Sequence, residues 1–227
     1  MANGRLLARA CGALLLTLTA SAAPAADPQH EHDPMEKGCV PVAQRNGERL
    51  GCYILASQEL GKLPDTQVYW HVYSYPTPAA AAAAKGPKGT VVQLGDEVWL
   101  FAVADTAWSP TGGKRVARVG PLPVAHTGTY TAQYMEAIFT PGMRSAVHQH
   151  TGPEAWYVLA GEQCLETPGK ATFVRAGESG IVPEGPPMIL WGTGKSERRA
   201  LVLILHDSTK RPTIFGSEWK SEGRCRQ

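Results

Sequence analysis

Three side chains of metal-binding type lie close together in the segment PGMRSAVHQHTGPEAWYVLAG, from Pro141 to Gly161. His148 and His150 are separated by one residue, and Glu154 follows a Thr-Gly-Pro sequence that favours a turn. Because successive side chains of a β-strand point to opposite faces, both imidazoles would lie on one face of an extended segment. Two nitrogens and one carboxylate can hold a divalent ion and leave coordination positions open for water, dioxygen or substrate.

The residues alone leave a second interpretation open, in which these polar side chains line the rim of a β-structure that binds no metal. They also identify no catalytic residue, because the segment offers no general base beyond the three candidate ligands. Gln163, which follows shortly after, could orient a substrate but cannot accept a proton at neutral pH.

The spacing resembles the first sequence motif of the cupin superfamily, G-x5-H-x-H-x3-E-x6-G. Gly142 and Gly161 supply its flanking glycines around the two histidines and the glutamate. The second cupin motif, G-x5-P-x-G-x2-H-x3-N, is matched in part, with Gly177, Pro183 and Gly185 in register. The resemblance covers roughly residues 124–208, which is less than half of the chain.

Two positions depart from the second motif. Met188 stands where the family has a fourth metal ligand, a histidine, and Gly192 replaces the closing asparagine. Three consequences stay open. Three protein ligands suffice, with water completing the shell; the Met188 thioether binds a soft ion such as Cu(I); or the chain binds no metal and Met188 is an apolar wall.

The resemblance implies a mainly β chain whose residues 124–208 form a double-stranded β-helix, the cupin jelly-roll barrel. It places a divalent ion (Fe, Mn, Zn or Ni) inside the barrel on His148, His150 and Glu154. The expected function is binding of this ion and action on a small organic molecule, as an oxygenase or an isomerase. The alternative is a non-catalytic cupin that binds a small ligand or a metal, because one fold hosts many functions. Cupins often form homodimers, and one is expected here.

Strand alternation predicts which other side chains face the barrel interior. Phe139 lies on one face of the segment YMEAIFTPG, and Trp156 has the same parity as Glu154. Gln163 is expected to point inward after a turn. With Met188, these residues predict a mainly apolar pocket that carries a few polar groups, which is typical of small-molecule sites.

The first 26 residues have the features of a secretory signal peptide. Arg5 and Arg9 precede a short apolar run, and small residues follow it. We therefore expect a periplasmic or secreted protein with no membrane association after cleavage. Loss of both arginines reduces the formal net charge of +2 to zero, which gives no reason to expect a nucleic-acid partner.

An exported chain meets an oxidising compartment, so its cysteines are free to form disulfides. Four cysteines remain after cleavage, and sequence cannot choose among their three complete pairings. These cysteines are Cys39, Cys52, Cys164 and Cys225.

Residues 27–123 are predicted to form a polar leader followed by a small α+β block. GCYILAS and QVYWHVYSY have strand composition. TPAAAAAAK predicts a short helix that Thr77 caps, and TVVQLGDEVWLFAVAD predicts a hairpin that turns at Gly95 and Asp96. Residues 209–227 form a polar C-terminal tail.

Overall fold

The computed structural model describes residue 1 and residues 38–226. The chain divides into two units, Met1–Glu31 and His32–Gln227, and the architecture below is that of the second. The predicted signal peptide and leader lie outside the described residues, apart from Met1. Within the described part of the chain, no helix has the length and apolar character needed to cross a bilayer.

Residues 38–226 are built almost entirely from β-strands, as predicted from the sequence. The elements are β1 (Val40–Pro41), a 3-10 turn (Val42–Gln44), β2 (Gly51–Lys62), β3 (Tyr69–Tyr75), α1 (Pro78–Ala84), β4 (Gly89–Leu94), β5 (Glu97–Ala104), β6 (Lys114–Val119), β7 (Thr129–Phe139), β8 (His148–His150), β9 (Glu154–Ala160), β10 (Glu162–Thr167), β11 (Lys170–Arg175), β12 (Ser179–Val182), β13 (Ile189–Thr193), β14 (Arg198–Asp207) and β15 (Thr213–Phe215).

The local signals in the N-terminal block determine its elements. The Thr77 hydroxyl accepts a hydrogen bond from the Ala80 amide at 3.2 Å, which caps the first turn of α1, and Pro78 occupies the first helical position. β4 and β5 pair antiparallel across a turn in which Gly95 has a φ of 59°. That left-handed conformation favours glycine. The predicted helix and hairpin are therefore confirmed.

A six-stranded sheet in the order β1-β2-β7-β14-β9-β12 has both faces covered. The four-stranded sheet β4-β5-β3-β6 packs against one face, and its core contains Trp70 and Phe101. The sheets β11-β10-β13 and β15-β8 lie towards the other face and complete the barrel expected from the cupin resemblance. This fold prediction is confirmed.

Strand β14 shows why the sequence LVLIL has no polar positions. Leu201, Leu203 and Leu205 belong to the core shared with the four-stranded sheet. Val202 and Ile204 alternate with them and point into the barrel. A strand buried on both faces has a continuous apolar run rather than an alternating pattern.

Segments outside residues 124–208 also contribute to the barrel. β2 pairs antiparallel with β7 from Gly51↔Ile138 to Lys62↔Thr129, and β15, from the tail, pairs with β8. The sequence-based divisions at residues 123 and 208 therefore do not separate the sheets. The physical reason is that β7 and β8 would otherwise expose unpaired backbone groups at a sheet edge.

Two disulfides answer the pairing question that the sequence left open, Cys39–Cys52 and Cys164–Cys225. The first ties the segment just before β1 to β2, and the second ties the tail to β10. Each closes a loop in the unfolded chain, which typically stabilises a protein by about 2–4 kcal/mol.

A network of ion pairs joins the six-stranded and four-stranded sheets at one end of their shared core. The Glu136 carboxylate is 1% exposed and accepts hydrogen bonds from Arg199 Nε at 2.6 Å and Arg45 Nη1 at 3.2 Å. Arg199 also pairs with Glu97 on β5, at 3.0 Å between Nη1 and Oε1. Glu136 is thus a buried charge that depends on its two arginines.

The network predicts unequal effects for its two carboxylates. Glu136→Ala should lower the free energy of unfolding by about 2–3 kcal/mol, somewhat less than for a fully buried pair because Arg199 and Arg45 reach water. Glu97→Ala, which removes a half-exposed carboxylate, should cost under about 1 kcal/mol. Urea unfolding of both variants measures this difference, and equal costs would contradict the assigned role of Glu136.

Candidate metal centre

The three candidate ligands converge as the sequence spacing predicts. β8 presents His148 and His150 on one face, and Glu154 is the first residue of β9. One ligand atom from each residue lies within 4.8 Å of the others. His150 and Glu154 are buried, whereas His148 is half-buried. The three side chains therefore form one compact donor set of two nitrogens and one carboxylate oxygen.

A tight turn at residues 151–153 returns the chain so that Glu154 faces the histidines. A Cβ atom at Gly152 would lie 2.0 Å from the Leu205 carbonyl oxygen of β14. Only glycine permits that approach of two backbones. The Thr-Gly-Pro sequence between the ligands thus has a steric reason as well as a turn preference.

Backbone carbonyls fix the orientation of both imidazoles. His148 Nδ1 lies 2.8 Å from the Ala146 oxygen, and His150 Nδ1 lies 3.1 Å from the Pro212 oxygen. A carbonyl only accepts, so each Nδ1 carries the proton and each Nε2 keeps its lone pair. Histidine ligands in metal sites are held in this way by a hydrogen bond from their second ring nitrogen.

The carboxylate of Glu154 completes the set with an unsatisfied oxygen. Its Oε2 atom lies 3.5 Å from His150 Nε2 and is buried without a hydrogen-bond partner. Leaving a buried carboxylate oxygen unpaired is costly, and a bound cation would remove that cost. Imidazole with carboxylate suits the borderline divalent ions, so the residues present fit a Fe, Mn, Zn or Ni ion.

The environment favours the protonation states that metal binding needs. Burial, and then the neighbouring His150, lowers the pKa of His148, which keeps its imidazole neutral at pH 7. Burial acts to raise the pKa of Glu154, but His150, His148 and Arg198 outweigh it and leave that pKa below its ordinary value. A neutral imidazole and an ionised carboxylate can both donate a lone pair.

A cavity of about 50 Å³ lies beside the three ligands. Its wall is mainly apolar and includes Phe139, as predicted, and the Cys39–Cys52 disulfide. A cavity of this size holds only a few water-sized groups. The other lining residues are Gly38, Met135, Ala137, Ser145, Leu190, Val202, Ile204, Thr213 and Phe215.

Trp156, Gln163 and Met188, which the sequence also placed in the pocket, are buried but do not line this cavity. Trp156 packs over Gly180, where an added Cβ would lie 2.4 Å from the indole. The Met188 side chain is fully buried in the apolar barrel core. Strand alternation predicted correctly which side chains face the barrel interior, but it could not predict which of them lie close enough to the ligands to line the cavity.

Arg198 is a buried charge that the sequence reasoning missed. Its side chain is 0% exposed, and no ion pair among residues 38–226 includes it. Its Nε donates to Gln163 Oε1 at 2.8 Å, and its Nη1 donates to the Ala137 oxygen at 3.2 Å. Burial lowers its pKa to about 9. The guanidinium carbon lies 5.2 Å from the centre of the Phe139 ring, which faces the cavity.

Strand parity could have revealed this residue. Arg198 shares its parity with Ala200 and Val202, which point into the barrel, whereas Arg199 has the parity of Leu201 on the other face. An arginine at an inward position of an apolar strand signals a buried polar partner, and here that partner is Gln163.

No known family profile matches the sequence. No protein of curated function matches it either.

Several solved structures are similar to part of this chain. A cupin-like protein from Thermotoga maritima is 18% identical over 40% of this chain and 78% of its own, with a TM-score of 0.35. A cupin superfamily protein from Desulfitobacterium hafniense is 16% identical over 38% and 74%, with a TM-score of 0.32. A DMSP lyase from Ruegeria pomeroyi is 22% identical over 37% and 42%, with a TM-score of 0.33.

At these identities and TM-scores the likeness concerns the fold alone. The match spans less than half of the lyase. No activity follows from likeness at these identities and scores.

The buried Arg198–Gln163 pair predicts a non-additive double-mutant cycle. Gln163→Leu removes the acceptor of a buried guanidinium and should cost about 2–3 kcal/mol of unfolding free energy. Adding Arg198→Met removes the stranded charge, so the double variant should be less destabilised than the sum of the single variants. Urea unfolding of the four proteins measures the coupling, and additivity within about 0.5 kcal/mol would contradict the pairing.

Proposed function

We propose that this cupin-fold chain holds one divalent metal ion on His148, His150 and Glu154. The observation that carries the proposal is the convergence of three donor atoms whose other contacts leave their lone pairs free. Each imidazole Nδ1 is turned towards a backbone carbonyl, and Glu154 Oε2 is buried without a partner. Three protein ligands leave part of the coordination shell to water or substrate.

The position of Met188 argues against the second of the three interpretations that the sequence left open, in which its thioether binds the ion. The structure places its side chain in the barrel core, and its backbone pairs with His148 at 3.0 and 2.7 Å. These two hydrogen bonds hold β8 in place. We therefore assign Met188 to the packing and positioning of the ligand strand and the metal to three protein ligands.

The activity that we propose is of oxygenase or isomerase type on a small organic molecule. When bound, the ion would polarise a substrate oxygen or bind dioxygen at an open position. The chain itself contributes an apolar cavity lining. The Phe139 ring and the aliphatic residues around it exclude water and restrict the size of the substrate. A cavity of about 50 Å³ favours a molecule of a few non-hydrogen atoms.

The charges inside the barrel favour an anionic substrate. Arg198 and Glu154 are buried and opposite in sign, so they offset each other without a metal. Adding a divalent cation leaves an excess of positive charge in a medium of low dielectric constant. We propose that the substrate supplies the balancing negative charge, as a small carboxylate would.

A non-catalytic role is the alternative, and one observation favours it. Among residues 38–226, the cavity is lined by no histidine, aspartate or glutamate other than the three ligands, and its two cysteines are joined in a disulfide. A site without a separate acid or base suits storage or capture of an ion or small ligand better than it suits catalysis by proton transfer. The enzymatic and the non-catalytic hypotheses use the same metal centre and differ in whether a substrate is converted there.

Export is also part of the proposal. Both cysteine pairs of residues 38–226 are disulfide-bonded, which is compatible with a periplasmic or secreted protein. The signal peptide predicted for the first 26 residues gives the same location.

Metal analysis of protein purified from its native host tests the metal centre. We expect about one Fe, Mn, Zn or Ni ion per chain, and the His148→Ala, His150→Ala double variant should bind the ion at least 100-fold more weakly, since even indirect changes cost 10–100-fold. His126→Ala, which removes an exposed imidazole, is the matched control and should keep the ion.

Absence of a bound ion after anaerobic loading with each of the four metals would reject the proposal. If an ion is present, incubation of the Fe(II)-loaded protein with a panel of small carboxylates separates the two roles, with oxygen uptake measured for an oxygenase and NMR of the products for an isomerase. Turnover with one of them supports the enzyme, and none with any of them supports the binding protein.

A further inference from the structure

We infer that the C-terminal strand β15 is part of the metal centre. Pro212 and Thr213 act as positioning residues for His150, and Phe215 closes the mouth of the cavity. This inference deepens the proposed function and rests on it for the identity of the ligand set. It assigns a role in the site to residues that lie outside both sequence motifs.

Two oxygen atoms of the tail surround one ring nitrogen of His150. The Pro212 carbonyl oxygen lies 3.1 Å from Nδ1, and the Thr213 hydroxyl oxygen lies 3.2 Å from the same atom. Since the ring turns about its bond to Cβ, holding Nδ1 also fixes the direction of Nε2 towards Glu154. His148 needs no such help, because its Nδ1 bonds to Ala146 within the same segment.

The tail is held beside the ligand strand by backbone pairing. β15 and β8 run antiparallel, with Thr213 opposite His150 and Phe215 opposite His148. Just before β15, the Thr151 hydroxyl donates to the Arg211 oxygen at 2.8 Å. β8 has only three residues, so this short ladder is a large part of what fixes the histidines.

Phe215 lies at the boundary between the cavity and solvent. Its side chain lines the cavity although 44% of the residue is exposed. Its ring centre is 6.1 Å from that of His148, and a Cβ atom at Gly38 would lie 3.0 Å from the ring. The exposed Phe215 ring, which lies between His148 and Gly38, is therefore placed to control the access of solvent and substrate to the cavity.

The residues after β15 are anchored to the barrel at a separate place. Ser221 Oγ donates to Glu166 Oε2 at 2.8 Å, and the Glu222 amide donates to Glu166 Oε1 at 2.5 Å. Glu166 is fully buried, so it depends on these donors. The Cys164–Cys225 disulfide fixes the same segment to β10. β15 is therefore restrained on both sides, which gives it a defined position over the site.

Cobalt(II) binding to the full-length protein tests this inference. Thr213→Val removes the hydroxyl at nearly constant volume, and it should weaken Co²⁺ binding by about 10-fold and change the visible ligand-field spectrum. Thr213→Ser keeps the hydroxyl and should restore both. Thr209→Val, in which the lost hydroxyl contacts Asp207 and not a ligand, is the matched control and should behave as the wild type.

Two further variants test the closure and the anchor. Phe215→Ala should speed the release of Co²⁺ to a chelator by about 10-fold or more while changing the spectrum little. Cys164→Ala with Cys225→Ala should weaken Co²⁺ binding by about 10-fold, because the tail loses one restraint. Circular dichroism shows whether each variant retains its β-structure.

The NMR signal of the His150 ring provides a readout that needs no metal. In the metal-free wild type, long-range ¹H–¹⁵N spectra should show the proton on Nδ1, and Thr213→Val should increase its exchange with water. If the wild type binds no Co²⁺, the proposed function fails while this measurement still decides the role of the tail. Unchanged binding, spectra and Nδ1 exchange in Thr213→Val and in the double cysteine variant would overturn the inference.

Discussion

The need to cover both faces of the six-stranded sheet determines the architecture of residues 38–226. β7 and β14 carry apolar side chains on both sides, so neither can lie at a solvent-exposed surface. The four-stranded sheet buries one side, and the closing strands of the barrel bury the other. The interior that results has few polar groups, and those that are present require partners.

The candidate metal centre depends on the same coverage of the six-stranded sheet. Its ligands lie where short strands and a tight turn meet the long central sheet, and Gly152 brings the two backbones into contact. Two backbone carbonyls hold the imidazoles at Nδ1. The same shortage of polar partners leaves Glu154 Oε2 unsatisfied and pairs Arg198 with Gln163. The packing at Gly152, the tautomer of the two imidazoles and the charges of Glu154 and Arg198 therefore all depend on the same buried environment.

The sequence predicted the local features well and the long-range ones poorly. The spacing of His148, His150 and Glu154 determined their meeting, because strand alternation and a turn act within a few residues. The role of Pro212 could not be predicted, because it depends on a pairing between β8 and β15 across more than sixty residues, whose partners share no local signal. For the same reason the N-terminal block appeared separate, although β2 extends the barrel sheet.

The position of the Cys39–Cys52 disulfide has a practical consequence for handling this protein. Both sulfur-bearing residues form part of the wall of the cavity that the ligands share. Dithiol reagents, which are often added to keep ferrous iron reduced, could open that wall and supply two soft thiolates beside the imidazoles. Reconstitution with ascorbate in place of a thiol would keep the coordination chemistry that of nitrogen and oxygen.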